Sequence, residues 1–134
     1  KKIGMKLREM DPVEHDQHIT YVSHLSHITS YMLGKTVMEK EKDQSAIFDM
    51  AGSGFSSTVR LAKSSPNMWV PIFKQNKENI SKTLSQYINN LNQFKQLLDA
   101  DKFDELHEQI LEINKIRLIL DGITNTTKTN KNGK

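Results

Sequence analysis

The clearest pattern of hydrophobic and polar positions lies in the last third of the chain. Ile80, Leu84, Tyr87 or Ile88, Leu91, Phe94 and Leu98 recur at intervals of three and four, the spacing of one face of an α-helix. Phe103, Leu106, Ile110, Ile113, Ile116 and Leu120 repeat that period after a short Asp-Ala-Asp. Two amphipathic helices joined by a short polar turn predict an antiparallel hairpin. Gly122 is the expected end of its second arm. The tail that follows is polar and without a period, so 123–134 reads as a linker.

A second helical pattern starts at Asp11-Pro12. Asp11 suits an N-cap, Pro12 the first helical position, and Glu14 can complete a capping box. The helix is expected to run to about Lys40. Tyr21, Leu25, Ile28 and Met32 form one apolar stripe along it, and Ile19, Val22, Leu33 and Val37 a second. Two stripes predict a central helix buried on several sides. Between this helix and the hairpin lie shorter segments. Gln44 to Met50 suggests one or two turns. The glycines of AGSGF (51–55) interrupt it, Ser56 to Lys63 reads as a short helix, and Pro66 begins another. At the N-terminus, Ile3, Met5 and Leu7 alternate with polar residues, a short strand remnant over 3–10 with no partner strand. The expected fold is all-α: four to six helices, a long central one, and a C-terminal hairpin.

Composition narrows the function classes. The 134 residues fit one domain, and 36% hydrophobic with 26% charged residues is a globular balance. The absence of cysteine excludes disulfides and thiolate metal sites and suits a cytoplasmic location. The net charge of +3, spread over lysines at the two ends, gives no footprint for nucleic acid. No apolar run reaches the ~18 residues of a membrane span, so no membrane partner is expected.

The stretch YVSHLSHITSYML (21–33) carries the candidate chemistry. With Ser23 at the origin of a helical wheel, His27 falls near 40° and His24 near 100°, opposite the Tyr21–Met32 stripe. Three polar groups on one side of a buried helix need partners. They bond to neighbouring helices, or they line a polar ligand pocket. The adjacent His15-Asp16 pair is found in metal-dependent HD-type phosphohydrolases. His15, His18, His24 and His27 all lie on one helix, however, and one helix cannot close a two-metal site, so no metal is expected. Arg60 follows a glycine-rich turn between Val59 and Leu61, and arginine suits bidentate binding of a carboxylate. Alone, it reads equally as a surface ion pair. Trp69 reads as core or interface.

In order along the chain, these features form the pattern HD-x6-SHL-x-H followed by A-G-x-G-F-x4-R-x-A-x-S-x-P-x-M-W. The pattern resembles the C-terminal helical domain of prephenate dehydrogenase over roughly residues 10 to 120. There are departures. Ser26 stands where the family usually has proline, and Ser56, Ser57 and Val59 replace an Arg-Asp pair and a threonine ahead of Arg60. The missing acid puts in doubt a polar contact at the subunit interface.

The resemblance implies an enzyme that oxidises prephenate with NAD and releases carbon dioxide, giving 4-hydroxyphenylpyruvate for tyrosine synthesis. It implies that 1–10 ends an N-terminal dinucleotide-binding domain holding NAD and the main catalytic histidine, and that 11–122 is the helical domain. No catalytic residue is then expected in this chain. Arg60 would hold a substrate carboxylate, with Ser23, His24 and His27 supplying hydrogen bonds. The AGSGF segment lies between predicted helices and is no dinucleotide fingerprint, so this chain alone should neither bind NAD tightly nor turn over prephenate. The resemblance further implies a homodimer through the C-terminal helices, and in some members a following amino-acid-binding regulatory domain. The competing reading is a helical dimerisation module without a ligand.

Overall fold

The structure, a computed structural model, describes residues 9–44 and 46–129. Among these residues every regular element is helical. The strand expected at 3–10 falls outside them except for Glu9 and Met10, which are irregular. They divide into two compact units, residues 10–87, and Glu9 with residues 88 onward.

In the first unit Asp11 caps the opening helix. Its carboxylate accepts the N–H groups of Val13 at 3.0 Å and Glu14 at 3.3 Å, and Pro12 takes the first helical position. Helix α1 (Pro12–Ile19) passes through a wider turn (Thr20–His24) into α2 (Leu25–Asp43). Thr20, His24 and Leu25 keep right-handed helical dihedrals, so the three segments are one continuous helix. Within the wide turn the Leu25 N–H reaches the Thr20 carbonyl, five residues back. That bond marks a π turn, one residue more per turn than an α-helix. A 3-10 turn (Phe48–Met50), α3 (Ser53–Thr58), a second 3-10 turn (Arg60–Lys63) and α4 (Pro66–Gln75) follow.

The long helix turns its polar side inward, and this corrects the expectation of a helix buried along both apolar stripes. Thr20, His24 and Ser30 are buried, whereas Tyr21 and Met32 are about half exposed and Val22 more so. The reason lies in what packs against it. The Arg60–Lys63 turn docks on α2, held at both ends by side chains of the helix. Ser30 Oγ donates to the Thr58 carbonyl at 2.7 Å, and Tyr31 Oη donates to the Ser64 carbonyl at 2.9 Å. Those carbonyls close a short irregular segment and need donors once out of water. The small Gly34 faces Ala62; a Cβ added there would lie 3.8 Å from the Ala62 Cβ. Hydrogen-bonding demand and close approach therefore select the inward face; Leu25 and Ile28 are half-buried, and Tyr21, Val22 and Met32 are left at the surface of a single chain.

Helix α5 (Lys77–Asp99) runs from the first unit into the second. The expected hairpin turn is a Schellman closure. Asp101 adopts φ of 54°, the Lys102 N–H reaches the Leu97 carbonyl at 2.9 Å, and the Asp101 N–H reaches Leu98 at 3.2 Å. Aspartate tolerates this left-handed position better than most residues. The second arm is not the single helix the periodicity suggests. It breaks at Asn114–Lys115, where Lys115, Arg117 and Leu118 donate to carbonyls only three residues back, and so divides into α6 (Phe103–Ile113) and α7 (Ile116–Thr129). Asparagine favours such breaks because its side chain competes for backbone partners. Gly122 does not stop α7: its φ is not positive, and the helix continues to Thr129 through residues read from sequence as linker. An interior glycine costs about 1 kcal/mol relative to alanine, which weakens a helix without ending it. Leu106 is buried in this unit, while Ile88, Leu91, Phe94, Ile110 and Ile113 stay about half exposed. No described helix is long and apolar enough to cross a membrane.

Candidate functional site

The π turn sets out the polar groups of the first unit. At its entry the Asp16 carbonyl accepts two side-chain donors, Thr20 Oγ1 at 2.7 Å and Asn76 Nδ2 at 2.8 Å. Asn76 follows α4 directly. Its Nδ2 also lies 2.9 Å from Thr20 Oγ1 and 3.3 Å from His24 Nδ1. Asn79 Nδ2 donates to Asn76 Oδ1 at 2.8 Å.

One helical turn further on, His27 Nδ1 lies 2.9 Å from the Ser23 carbonyl. A carbonyl only accepts, so this nitrogen carries hydrogen. In the neutral ring Nε2 is then an acceptor. The His27 ring stacks on Trp69, with centroids 3.4 Å apart and planes 25° apart. His24 meets the same indole edge-on at 6.0 Å, and Phe73 packs against it at 5.6 Å. Trp69 is buried, and its Nε1–H has no partner among the described residues. Histidines packed on a buried indole along one side of the helix provide oriented polar groups beside an apolar surface.

Burial pushes the His24 pKa below its ordinary value of 6.5, with His27 and His15 adding to the fall and the Asp16 carboxylate opposing it. A depressed imidazole pKa favours the neutral form in the fold, while the unfolded chain takes up a proton at pH 6.5. His24 therefore costs nothing well above pH 6.5 and destabilises progressively below it, levelling off under its folded pKa. Urea midpoints are expected to fall between pH 7.5 and 5.5, and to fall less in His24→Gln. Equal slopes for the two proteins would remove His24 as the source.

Of the four residues expected to contact substrate, His24 and His27 come together on Trp69. Ser23 is half-buried, and its carbonyl orients His27. Arg60 is exposed on the docked 3-10 turn, with no ion pair among the described residues and no hydrogen bond to the histidines. Trp69, expected in core or interface, is the floor under both imidazoles. His15 and Asp16 pair at 3.2 Å on the surface, and no three His, Asp or Glu among the described residues gather as metal ligands. Sequence reading missed Thr20 and Asn76. Asn76 sits in the polar run QNKEN, where nothing in the local pattern marks it. AGSGF places Gly52 at the start of the six-residue α3, with no strand before it among the described residues. Those residues do not fit a dinucleotide site.

Comparison with known proteins gives a family and several relatives. The family described as "Prephenate dehydrogenase, dimerization domain" matches residues 11–112. The cyclohexadienyl dehydrogenase of Zymomonas mobilis is 27% identical over 121 residues, 90% of this chain and 41% of that protein. The prephenate dehydrogenase of Bacillus subtilis is 29% identical over 98 residues, 73% of this chain and 26% of that protein. The chain thus spans well under half the length of either. Among solved structures, prephenate dehydrogenase from A. aeolicus, in complex with hydroxyphenyl propionate and NAD+, superposes with a TM-score of 0.78 and 33% identity, covering 86% of this chain and 40% of that one. Synechocystis arogenate dehydrogenase gives a TM-score of 0.74 at 25% identity, covering 85% of this chain and 42% of that one.

Proposed function

Because the chain belongs to the family of prephenate dehydrogenase dimerization domains, we propose that it is the substrate-side, dimer-forming part of an NAD-dependent dehydrogenase acting on prephenate. The observation that carries this reading is Arg60, an exposed guanidinium without an ion-pair partner among the described residues. It stands on a turn docked to the same helix that buries His24. An exposed cation without a counter-charge is available to a carboxylate ligand.

The chemistry calls for such groups. Prephenate carries two carboxylates and a ring hydroxyl. Hydride leaves the hydroxyl-bearing carbon as the opposite carboxylate departs as carbon dioxide, and the ring becomes aromatic. The hydroxyl proton passes to a base as the hydride leaves and returns to that oxygen when loss of carbon dioxide makes the ring a phenol. NAD, when bound, accepts the hydride; it and the principal base belong to the preceding domain that the family resemblance implies. This chain's part is to hold the dianion in register, Arg60 on a carboxylate and Ser23, His24 and His27 on the remaining polar atoms. The half-exposed apolar faces of α5 and α6 would be covered by a second copy, making a homodimer.

Calorimetric titration of the chain with prephenate, alongside its mass by light scattering, tests the assignment. A dimer that binds prephenate weakly and forms no NADH from prephenate and NAD is expected. NADH formation by the chain alone would overturn the division of labour. A dimer that ignores prephenate would overturn the preformed half-site and favour a ligand-free dimerisation module.

A further inference from the structure

We propose that Asn76 is a positioning residue that holds His24 as the Nε2–H tautomer, so that His24 presents a hydrogen-bond donor and its neighbour His27 an acceptor. The consequence for substrate rests on the reading of His24 as a site residue. The hold of Asn76 on His24 does not.

The orientation of the Asn76 amide follows from its partners. The Asp16 carbonyl can only accept, so the Asn76 atom 2.8 Å away must be the NH2 group. Asn79 donates to the other end of the amide at 2.8 Å, in keeping with the orientation that the Asp16 carbonyl sets. An amide nitrogen has two hydrogens and no acceptor capacity, so the Asp16 carbonyl, Thr20 Oγ1 and His24 Nδ1 share two hydrogens, with the longest contact, to His24, made by a bifurcated one. The His24 Nδ1 facing it at 3.3 Å must therefore present its lone pair. The hydrogen of the neutral ring then sits on Nε2, which makes no hydrogen bond among the described residues. Thr20 tightens the arrangement. Its hydroxyl donates to Asp16 at 2.7 Å and takes an Asn76 hydrogen at 2.9 Å. All of these bonds meet at the π turn, so the wide turn and the tautomer are held by one side chain.

His27 has the opposite tautomer. Its Nδ1–H donates to the Ser23 carbonyl at 2.9 Å, leaving Nε2 as the acceptor. Both rings lean on Trp69. Two imidazoles on one indole thus offer one donor and one acceptor. A hydroxyl needs both at once; a pair of carboxylate oxygens needs only donors. The arrangement favours a ligand bearing a hydroxyl or a protonated group at this position.

The test is the tautomer itself. Long-range proton–nitrogen correlations on imidazole-labelled protein distinguish Nε2–H from Nδ1–H, and His24→Gln assigns the His24 signals among the five histidines. Wild type is expected to show His24 as Nε2–H. In Asn76→Asp a carboxylate, which only accepts, replaces the donor, and the His24 hydrogen should move to Nδ1. Should that variant fail to fold, Asn76→Ala takes its place, with a mixture of the two tautomers expected. A wild-type Nδ1–H signal, or a His24 tautomer unmoved by either substitution, overturns the proposal. In the complete enzyme, Asn76→Asp should raise KM for prephenate about tenfold, with kcat changed less. A switched tautomer with an unchanged KM would leave Asn76 holding His24 and would instead remove His24 from the substrate site.

Discussion

Replacing Arg60 with alanine in the complete enzyme is expected to raise KM for prephenate by about a hundredfold, the scale of one charge-assisted contact of up to about 3 kcal/mol. Folding should be nearly untouched. Arg60 is exposed and has no ion pair among the described residues, so the change in stability should stay within about 0.5 kcal/mol. Arg60→Lys should recover only part of the loss, because an ammonium keeps the charge without the planar fork. Steady-state kinetics with a parallel melting curve separate the two effects. An unchanged KM removes Arg60 from the site; a raised KM with a collapsed melting temperature moves it from binding to structure.

Trp69→Ala should have the largest effect on stability. Trp69 is 8% exposed and supports the stacked His27, the edge of His24 and the ring of Phe73. Truncating a buried aromatic costs about 3–5 kcal/mol, a large share of the 5–15 kcal/mol that holds an ordinary domain together. Trp69→Phe should lose less than half as much. It keeps an aromatic floor under the imidazoles, and the indole N–H it removes has no partner among the described residues. Urea unfolding measures both variants. A loss below about 1 kcal/mol for Trp69→Ala would show that the imidazoles do not depend on the indole.

Much of this architecture was legible in the sequence, for physical reasons. Apolar spacing placed α5 and α6, and Asp11-Pro12 placed the start of the long helix, because caps and amphipathic faces are local. Two ordered motifs placed His24, His27, Arg60 and Trp69 in one family. What escaped was relational. Hydrophobicity shows that Tyr21 and Met32 avoid water, but not what covers them. In one chain nothing does so fully, and Ser30 and His24 face inward instead. The break at Asn114–Lys115 has only a weak local signal, one asparagine, yet it divides the second arm of the hairpin. Gly122 carries a strong one, and α7 passes through it. Asn76 gave no signal at all, since its importance arises from partners about 50 to 60 positions away.

The π turn at Thr20–His24 has a consequence for length variation in this chain. A helix is a rotational frame, and one extra residue offsets everything after it by about 100°. Residues before the turn and residues after it are two frames spliced out of phase. Deleting one residue there would restore a regular helix and swing Ser30, Gly34 and Tyr31 away from the turn they anchor. Removing a residue from the connection after α2 changes no helical frame, and disturbs only the hold of the Glu41 carboxylate on the N–H groups of Ala46, Ile47 and Phe48. Insertions and deletions should therefore be tolerated on the loop side of the long helix and excluded from the five residues of its wide turn.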